Sequence, residues 1–265
     1  MLITTDGTVI SRREVGDSDV FVTILTPDYG LIEVSARGAK KYTAKNGGAV
    51  QLFSAAKYCI SERNGRYYLD SSEIICLFYD IRTSVEKLAL ASYFADVIRY
   101  SATQGQTARN IYRLYMNTLH FLANGQRSCD FLKFVFEMRM ASEIGLLPEL
   151  IGCADCYRYE GVRLYFDIPQ GKVFCREHLK RRGGAPCADV IEISSGQLEA
   201  LQFACLAQMD RLFNFRVADK ALNVLCYISE NYLIRHFDHR FKTLDFYNTT
   251  MGIDHTRGIY FYEDE

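Results

Sequence analysis

Residues 153–178 read CADCYRYEGVRLYFDIPQGKVFCREH, a Cys-x-x-Cys pair followed eighteen residues later by Cys-x-x-His. Cysteines three positions apart place both sulfurs on one tight knuckle. Thiolate and imidazole are the ligands zinc prefers in a closed tetrahedral site. Cys153, Cys156, Cys175 and His178 are therefore the candidate metal ligands, for one structural Zn2+ per chain. Four protein ligands leave no position for a reactive water, so such a metal shapes the fold and does no chemistry. Other readings remain open. Cys187 could stand in for His178, the thiols could be buried pairs beside an exposed histidine, or Cys-x-x-Cys could be a redox pair. The redox reading lacks a surrounding βαβ pattern and leaves the second pair unexplained.

Compartment bears on the same question. The chain has 265 residues and nine cysteines, an odd number spread from Cys59 to Cys226, unlike the dense framework of a small secreted domain. The opening MLITTDGTVISRREVGDSDV has no basic segment followed by an apolar run, so it does not read as a secretory signal. No stretch reaches the roughly eighteen apolar residues of a membrane span. A cytoplasmic protein with reduced, mostly buried thiols is expected.

A second chemistry lies upstream. The formal net charge is −1, yet between Ser35 and Arg66 seven basic residues (Arg37, Lys40, Lys41, Lys45, Lys57, Arg63, Arg66) face one acid, Glu62. Cations on loops and strand ends suit phosphate contacts, which supply most of the nonspecific affinity for nucleic acid. A solvated basic face without a partner explains the same run. Tyr42, Phe53, Tyr58, Tyr67 and Tyr68 could stack on unpaired bases or fill a barrel core. Arg176, Lys180, Arg181 and Arg182 form a second basic cluster after the second knuckle.

The elements that must position these groups change character near residue 80. Before it, TVISRREV, DVFVTILTPDYG, LIEVSARGA, AKYCISERNGRYYLD and SEIICLF alternate with period two between turn signals, which predicts five short antiparallel strands in a small barrel. After it, TSVEKLALASYFADVIRYSA, ARNIYRLYMNTLHFLANG, SCDFLKFVFEMRMASEIGLL, SGQLEALQFACLAQ and ADKALNVLCYISENYLIRHF carry helical periodicity. The reading is an α+β chain with a barrel at 1–80 and a helical domain at 81–265, the metal segment inserted at about 150–187. Within that insertion, VRLYFD and KVF pair as a hairpin around Ile168–Gly171, with a knuckle at each end as in a zinc ribbon.

Enzyme signatures are missing. The sequence has no phosphate-binding G-x-x-x-x-G-K-[ST], no G-x-G-x-x-G, no H-E-x-x-H and no G-x-S-x-G. His236 and His239 lie three apart on an expected helix, more in keeping with a solvated face than a site, and Glu263, Asp264 and Glu265 sit at a terminus. A non-enzymatic protein is expected. A zinc-containing transcription regulator is the alternative, but it needs a helix with basic and amide residues on one face.

TPDYGLIEVSARGAKK at 26–41, FEMRMASEIGLLPELIGCADC at 136–156 and YLIRHFDHRFKTLDFY at 232–247 resemble, in order and spacing, segments of the RecO family of bacterial recombination mediators. The resemblance implies an N-terminal OB-fold, a helical domain and an embedded zinc finger. It implies binding of single- and double-stranded DNA and annealing of complementary strands coated by single-stranded DNA-binding protein. It also implies loading of RecA together with RecR, at the nucleoid. Many members carry cysteine where this chain has His178, and MGIDHTRGIYFYEDE lies beyond the matched region.

Overall fold

The computed structural model describes residues 2–41 and 44–252. Five strands come first: β1 (Leu2–Val15), β2 (Asp19–Thr26), β3 (Gly30–Ala36), β4 (Ala55–Arg63) and β5 (Arg66–Cys76). They close in the order β1-β2-β3-β5-β4, an OB-fold topology. Alternation decides which side chains enter the barrel. Val20, Val22 and Ile24 of β2, Ile32, Val34 and Ala36 of β3 and Tyr58 and Ile60 of β4 fill its core, while the residues between them face outward. β1 is long enough to serve two neighbours. A register shift between Val9 and Ser11 bends it, so its first half pairs with β4 and its second with β2.

Two details differ from the expected five antiparallel strands. AKYCISERNGRYYLD forms the β4–β5 hairpin, reversed at its Asn64–Gly65 turn signal, both residues with positive φ, and SEIICLF continues β5 instead of forming a strand of its own. A two-residue turn with two left-handed residues matches strand twist, which is why Asn-Gly sits there. The barrel is also not wholly antiparallel, because β3 and β5 close it in parallel through Val34–Tyr67 and Ser35–Tyr68.

The helices are α1 (Val85–Ser101), α2 (Arg109–Asn124), α3 (Cys129–Glu143), α4 (Arg176–Arg181), α5 (Ser195–Leu206), α6 (Asp219–Phe237) and α7 (Lys242–Met251). Local signals set several ends. Ser84 and Ser128 cap α1 and α3 through their side chains, Ser194 and Gln197 form a capping box on α5, and left-handed Gly125 ends α2. Among the described residues no helix is long and apolar enough to cross a membrane.

By packing, the described residues divide into two compact units: those up to Gln126 with Thr243–Tyr247, and Arg127–Lys242 with Asn248–Gly252. Strands give way to helices near residue 80, but α1 packs on β1 and α2 on β2, so the first unit contains helices as well as the barrel. In the second unit, α3 packs against α5 and α6. A second sheet interrupts these helices, with β6 (Glu149–Cys153), β8 (Lys172–Cys175), β7 (Leu164–Asp167) and β9 (Val190–Ile193) in the order β6-β8-β7-β9. The expected hairpin is β7–β8. Strands of four or five residues on either side of it, β6 and β9, are too short to show a period in the sequence.

Candidate metal centre and nucleic-acid groove

The first knuckle forms where β6 ends. Cys153 donates its N–H to the Arg158 carbonyl at 3.0 Å and accepts from the Tyr157 N–H at 2.7 Å, with Tyr157 in the left-handed region at φ 61°. Gly152 makes this close return possible, since its φ is 153° and an added Cβ would stand 2.8 Å from the Tyr157 carbonyl oxygen. The second knuckle is a strand-to-helix corner: Cys175 ends β8 and caps α4, so His178 folds back over it within one turn.

The ligand atoms of Cys153, Cys156, Cys175 and His178 all lie within 4.8 Å of one another. Metal–ligand bonds of zinc length at tetrahedral angles require separations of about 3.8 Å between sulfurs and about 3.6 Å between sulfur and nitrogen. Cys153 Sγ is 3.6 Å from His178 Nδ1, Cys156 Sγ is 4.0 Å from Cys175 Sγ, and Cys175 Sγ is 3.1 Å from Nδ1. The donor set and its spacing fit a metal ion. Cys187 does not belong to this group; it is exposed and pairs through its backbone with Val190. The expectation of mostly buried thiols needs correction, since only Cys153, Cys175, Cys205 and Cys226 of the nine are buried.

The surroundings act differently on the two buried thiols. Burial pushes the Cys153 thiol up, but the backbone N–H groups of Cys175, Asp155 and Cys156 outweigh it and hold the thiol below its ordinary value. Burial keeps Cys175 above its ordinary value. Arg158 lies against the Cys156 sulfur, which raises the guanidinium further. Three thiolates on a divalent ion leave one negative charge, and such a cation offsets it.

Arg182, at the C-terminal end of α4, has a defined structural place beside the same centre. Its guanidinium donates two hydrogen bonds to the Asp155 carboxylate inside the first knuckle and stacks 4.7 Å from the Phe174 ring centre. Arg176, Lys180 and Arg181, the other expected cations, are exposed on α4.

The basic residues of the barrel divide similarly. Arg37, Lys41, Lys45, Arg63 and Arg66 are exposed. Lys40 is exposed but paired with Glu14 at 3.0 Å, a carboxylate that Arg12 also engages at 2.9 Å. Arg37 lies 4.8 Å from the centre of the Tyr68 ring, and Arg63 lies 6.0 Å from it. Of the aromatic candidates, Phe53 and Tyr58 are fully buried, and the Tyr58 hydroxyl donates to the Ala49 carbonyl at 2.7 Å. They are core and not stacking surfaces. Tyr42 lies outside the described residues, as do Glu263, Asp264 and Glu265.

Tyr67 and Tyr68 remain, and both line a groove of about 540 Å³ with Asp19, Phe21, Glu33, Ser35, Arg37 and Arg66. Oligonucleotides bind OB-folds across the face of the second and third strands and the turn between the fourth and fifth. This groove occupies that face, with Gly65 of the β4–β5 turn at its edge. Gln104 reaches it from the α1–α2 loop, which is tied to the β2–β3 turn by Gly105 N–H to Tyr29 O at 3.0 Å and Ala108 N–H to Pro27 O at 2.8 Å. Gly30 is required there, since at φ 64° an added Cβ would overlap the Thr103 carbonyl. Phe21, Glu33 and Gln104 escape a motif search. Their only signal in the sequence is an outward position between buried β-branched residues for the first two.

His236 and His239 do not share a helix face. α6 ends at Phe237 with Asp238 left-handed at φ 48°, and the His236 ring instead pairs with the Tyr232 carbonyl at 2.9 Å.

Two family models cover nearly the whole chain: "Recombination protein O N terminal" matches residues 1–78 and "Recombination protein O C terminal" residues 82–245. Among curated relatives, the DNA repair protein RecO of Acetivibrio thermocellus is 28% identical over 245 residues, 92% of this chain and 96% of that one. That of a Thermoanaerobacter species is 26% identical, covering 95% of this chain and 99% of its own. A barrel of OB topology, a helical unit carrying a three-cysteine, one-histidine centre, and these matches along both together place the chain in the RecO family of DNA repair proteins.

Proposed function

We propose that this protein is a recombination mediator that acts by binding and apposing DNA strands, with no bond chemistry of its own. The observation that carries the reading is the outer groove of the barrel, where half-buried aromatic rings lie beside Arg37 and Arg66 on the face through which OB-folds hold oligonucleotides. Exposed cations along Lys41, Lys45 and Arg63 extend the phosphate-contacting rim. Such a surface screens repulsion between two phosphate backbones while leaving bases free to pair. In this reading single- and double-stranded DNA are both ligands, and annealing proceeds on strands coated by single-stranded DNA-binding protein. RecR is the partner for loading RecA, in the cytoplasm at the nucleoid. The metal is Zn2+, one per chain, held by Cys153, Cys156, Cys175 and His178. It closes the β6–β8–β7 knuckles, and Arg176, Lys180 and Arg181 beside it offer further phosphate contacts.

The test mixes complementary strands coated with single-stranded DNA-binding protein, with and without this protein, and follows duplex formation. Faster annealing without ATP is expected. An unchanged rate, or a requirement for ATP hydrolysis, would overturn the mediator reading. Tight retention of one duplex sequence over scrambled competitors would point instead to a transcription regulator.

A further inference from the structure

The groove on the barrel contains a feature that phosphate binding does not explain. Its walls are aromatic and its rim is basic, yet a carboxylate stands inside it. On the outward face, β-sheet register places Arg13 opposite Phe21, Phe21 opposite Ser35 and Ser35 opposite Tyr68, a row across β1, β2, β3 and β5. Phe21 and Tyr68 thus stand two strand spacings apart, roughly 9–10 Å at the backbone, with the small Ser35 as floor between them. Each ring has an arginine against it, Arg13 at 5.5 Å from Phe21 and Arg37 at 4.8 Å from Tyr68. The volume of about 540 Å³ falls within the range of roughly 300–1,000 Å³ typical of sites for flat organic ligands.

The two acids of the groove are in different states. Asp19 is committed: it accepts the Gly38 N–H at 2.8 Å and the Ser18 hydroxyl at 3.1 Å, and these bonds hold its carboxyl below the ordinary value. Glu33 is exposed and, among the described residues, makes no ion pair. It occupies the outward β3 position two residues before Ser35, and Gln104 lines the same groove. A free carboxylate repels phosphate, so a strand cannot lie here backbone inward. A carboxylate does accept hydrogen bonds from exocyclic amines, and it is the side chain that reads cytosine N4–H.

We propose that the groove takes unpaired bases of a single strand edge inward, and that Glu33 is the specificity-determining acceptor that favours amino-bearing bases, cytosine above thymine. Phe21 and Tyr68 flank the base, Arg37 and Arg66 hold the phosphates outside, and Gln104 offers a donor for a ring carbonyl. Thymine presents only carbonyls and an N3–H on its pairing edge, and its O4 faces the carboxylate as acceptor against acceptor. The inference rests on the DNA-binding reading above and adds base preference to it.

The experiment measures affinity of the full chain for labelled oligo-dC and oligo-dT of equal length, across a salt series, for wild type, Glu33→Gln and Phe21→Leu. One charge-assisted hydrogen bond at a half-open site gives an expected wild-type preference for dC of about 5–10-fold. Glu33→Gln should bring the two within about twofold by weakening dC and strengthening dT, since the amide can donate to thymine O4. Phe21→Leu should weaken both about equally through lost stacking, with the salt dependence of wild type retained. Salt-dependent binding with equal dC and dT affinities in wild type overturns the inference while the DNA-binding reading stands. An equal gain for both oligonucleotides in Glu33→Gln also overturns it, because the acid then acts only by repelling phosphate. Loss of salt-dependent binding to either oligonucleotide in wild type overturns both.

Discussion

Replacement of Lys133 by Met is expected to destabilise the second compact unit by about 3–5 kcal/mol, the cost of leaving a buried charge without its partner. Lys133 and Glu137, one turn apart on α3, are both fully buried. The ammonium lies 2.9 Å from Glu137 and 2.7 Å from Glu230 on α6, and Ser229 donates to the second Glu137 oxygen at 2.6 Å. Glu230 is 17% exposed and also accepts from the Asn248 amide at 3.1 Å, so it tolerates loss of the lysine better. Glu137 does not. Burial already pushes its carboxyl above the ordinary value despite the neighbouring ammonium. A carboxyl raised in the folded state contributes stability that is fully present below its unfolded pKa, about 4.3, and lost as pH rises through the folded value. The deficit of the Met variant against wild type should therefore be smallest near pH 4 and grow with pH. Burial alone would lower Lys133, but Glu137 and Glu230 outweigh it and hold the ammonium above the usual lysine value, so the wild-type contribution persists until strongly alkaline pH. Urea unfolding of both proteins at several pH values, followed by far-ultraviolet dichroism, measures the difference. The double variant Lys133→Met with Glu137→Gln should recover much of the loss. A deficit under about 1 kcal/mol that does not vary with pH would show that water reaches the cluster and would refute the reasoning.

Cys153→Ser should abolish stoichiometric metal and lower the unfolding midpoint of the second unit, as elemental analysis and thermal melting would report, because metal binding is coupled to folding. Arg182→Ala should weaken metal affinity by about tenfold in a chelator competition, since it releases Asp155 within the knuckle, whereas a pure DNA contact would leave the metal untouched. Arg37→Ala with Arg66→Ala should reduce the log-affinity against log-salt slope on single strands by about 1.4, roughly 0.7 for each phosphate no longer neutralised, and an unchanged slope would move the phosphate-binding cations off this groove.

Several features of this protein are written locally. Val20, Val22 and Ile24 alternate with outward residues, and that period survives any packing because a strand has no other way to bury one face. The Asn64–Gly65 reversal, the serine caps of α1, α3 and α5 and the Cys-x-x-Cys and Cys-x-x-His spacings act over three or four residues, so the sequence alone specifies them. The four candidate metal ligands, and their clustering, were legible for that reason. Other features depend on residues far apart in the chain. Parallel closure of β3 on β5 brings Ser35 beside Tyr68 and sets Phe21 in the same row, a relation between strands that no single segment encodes. Only tertiary structure could show that Phe53, in the loop before β4, and Tyr58 are buried while Tyr68 meets Arg37. Likewise Arg182 reads as one cation in a basic run, and its contact with Asp155, twenty-seven positions earlier, exists because β8 and α4 return it to the first knuckle. Side-chain chemistry and short-range geometry belong to the sequence, whereas the partner of a charge or ring is chosen by strand register and helix packing, which are settled only when distant segments bury their apolar faces together.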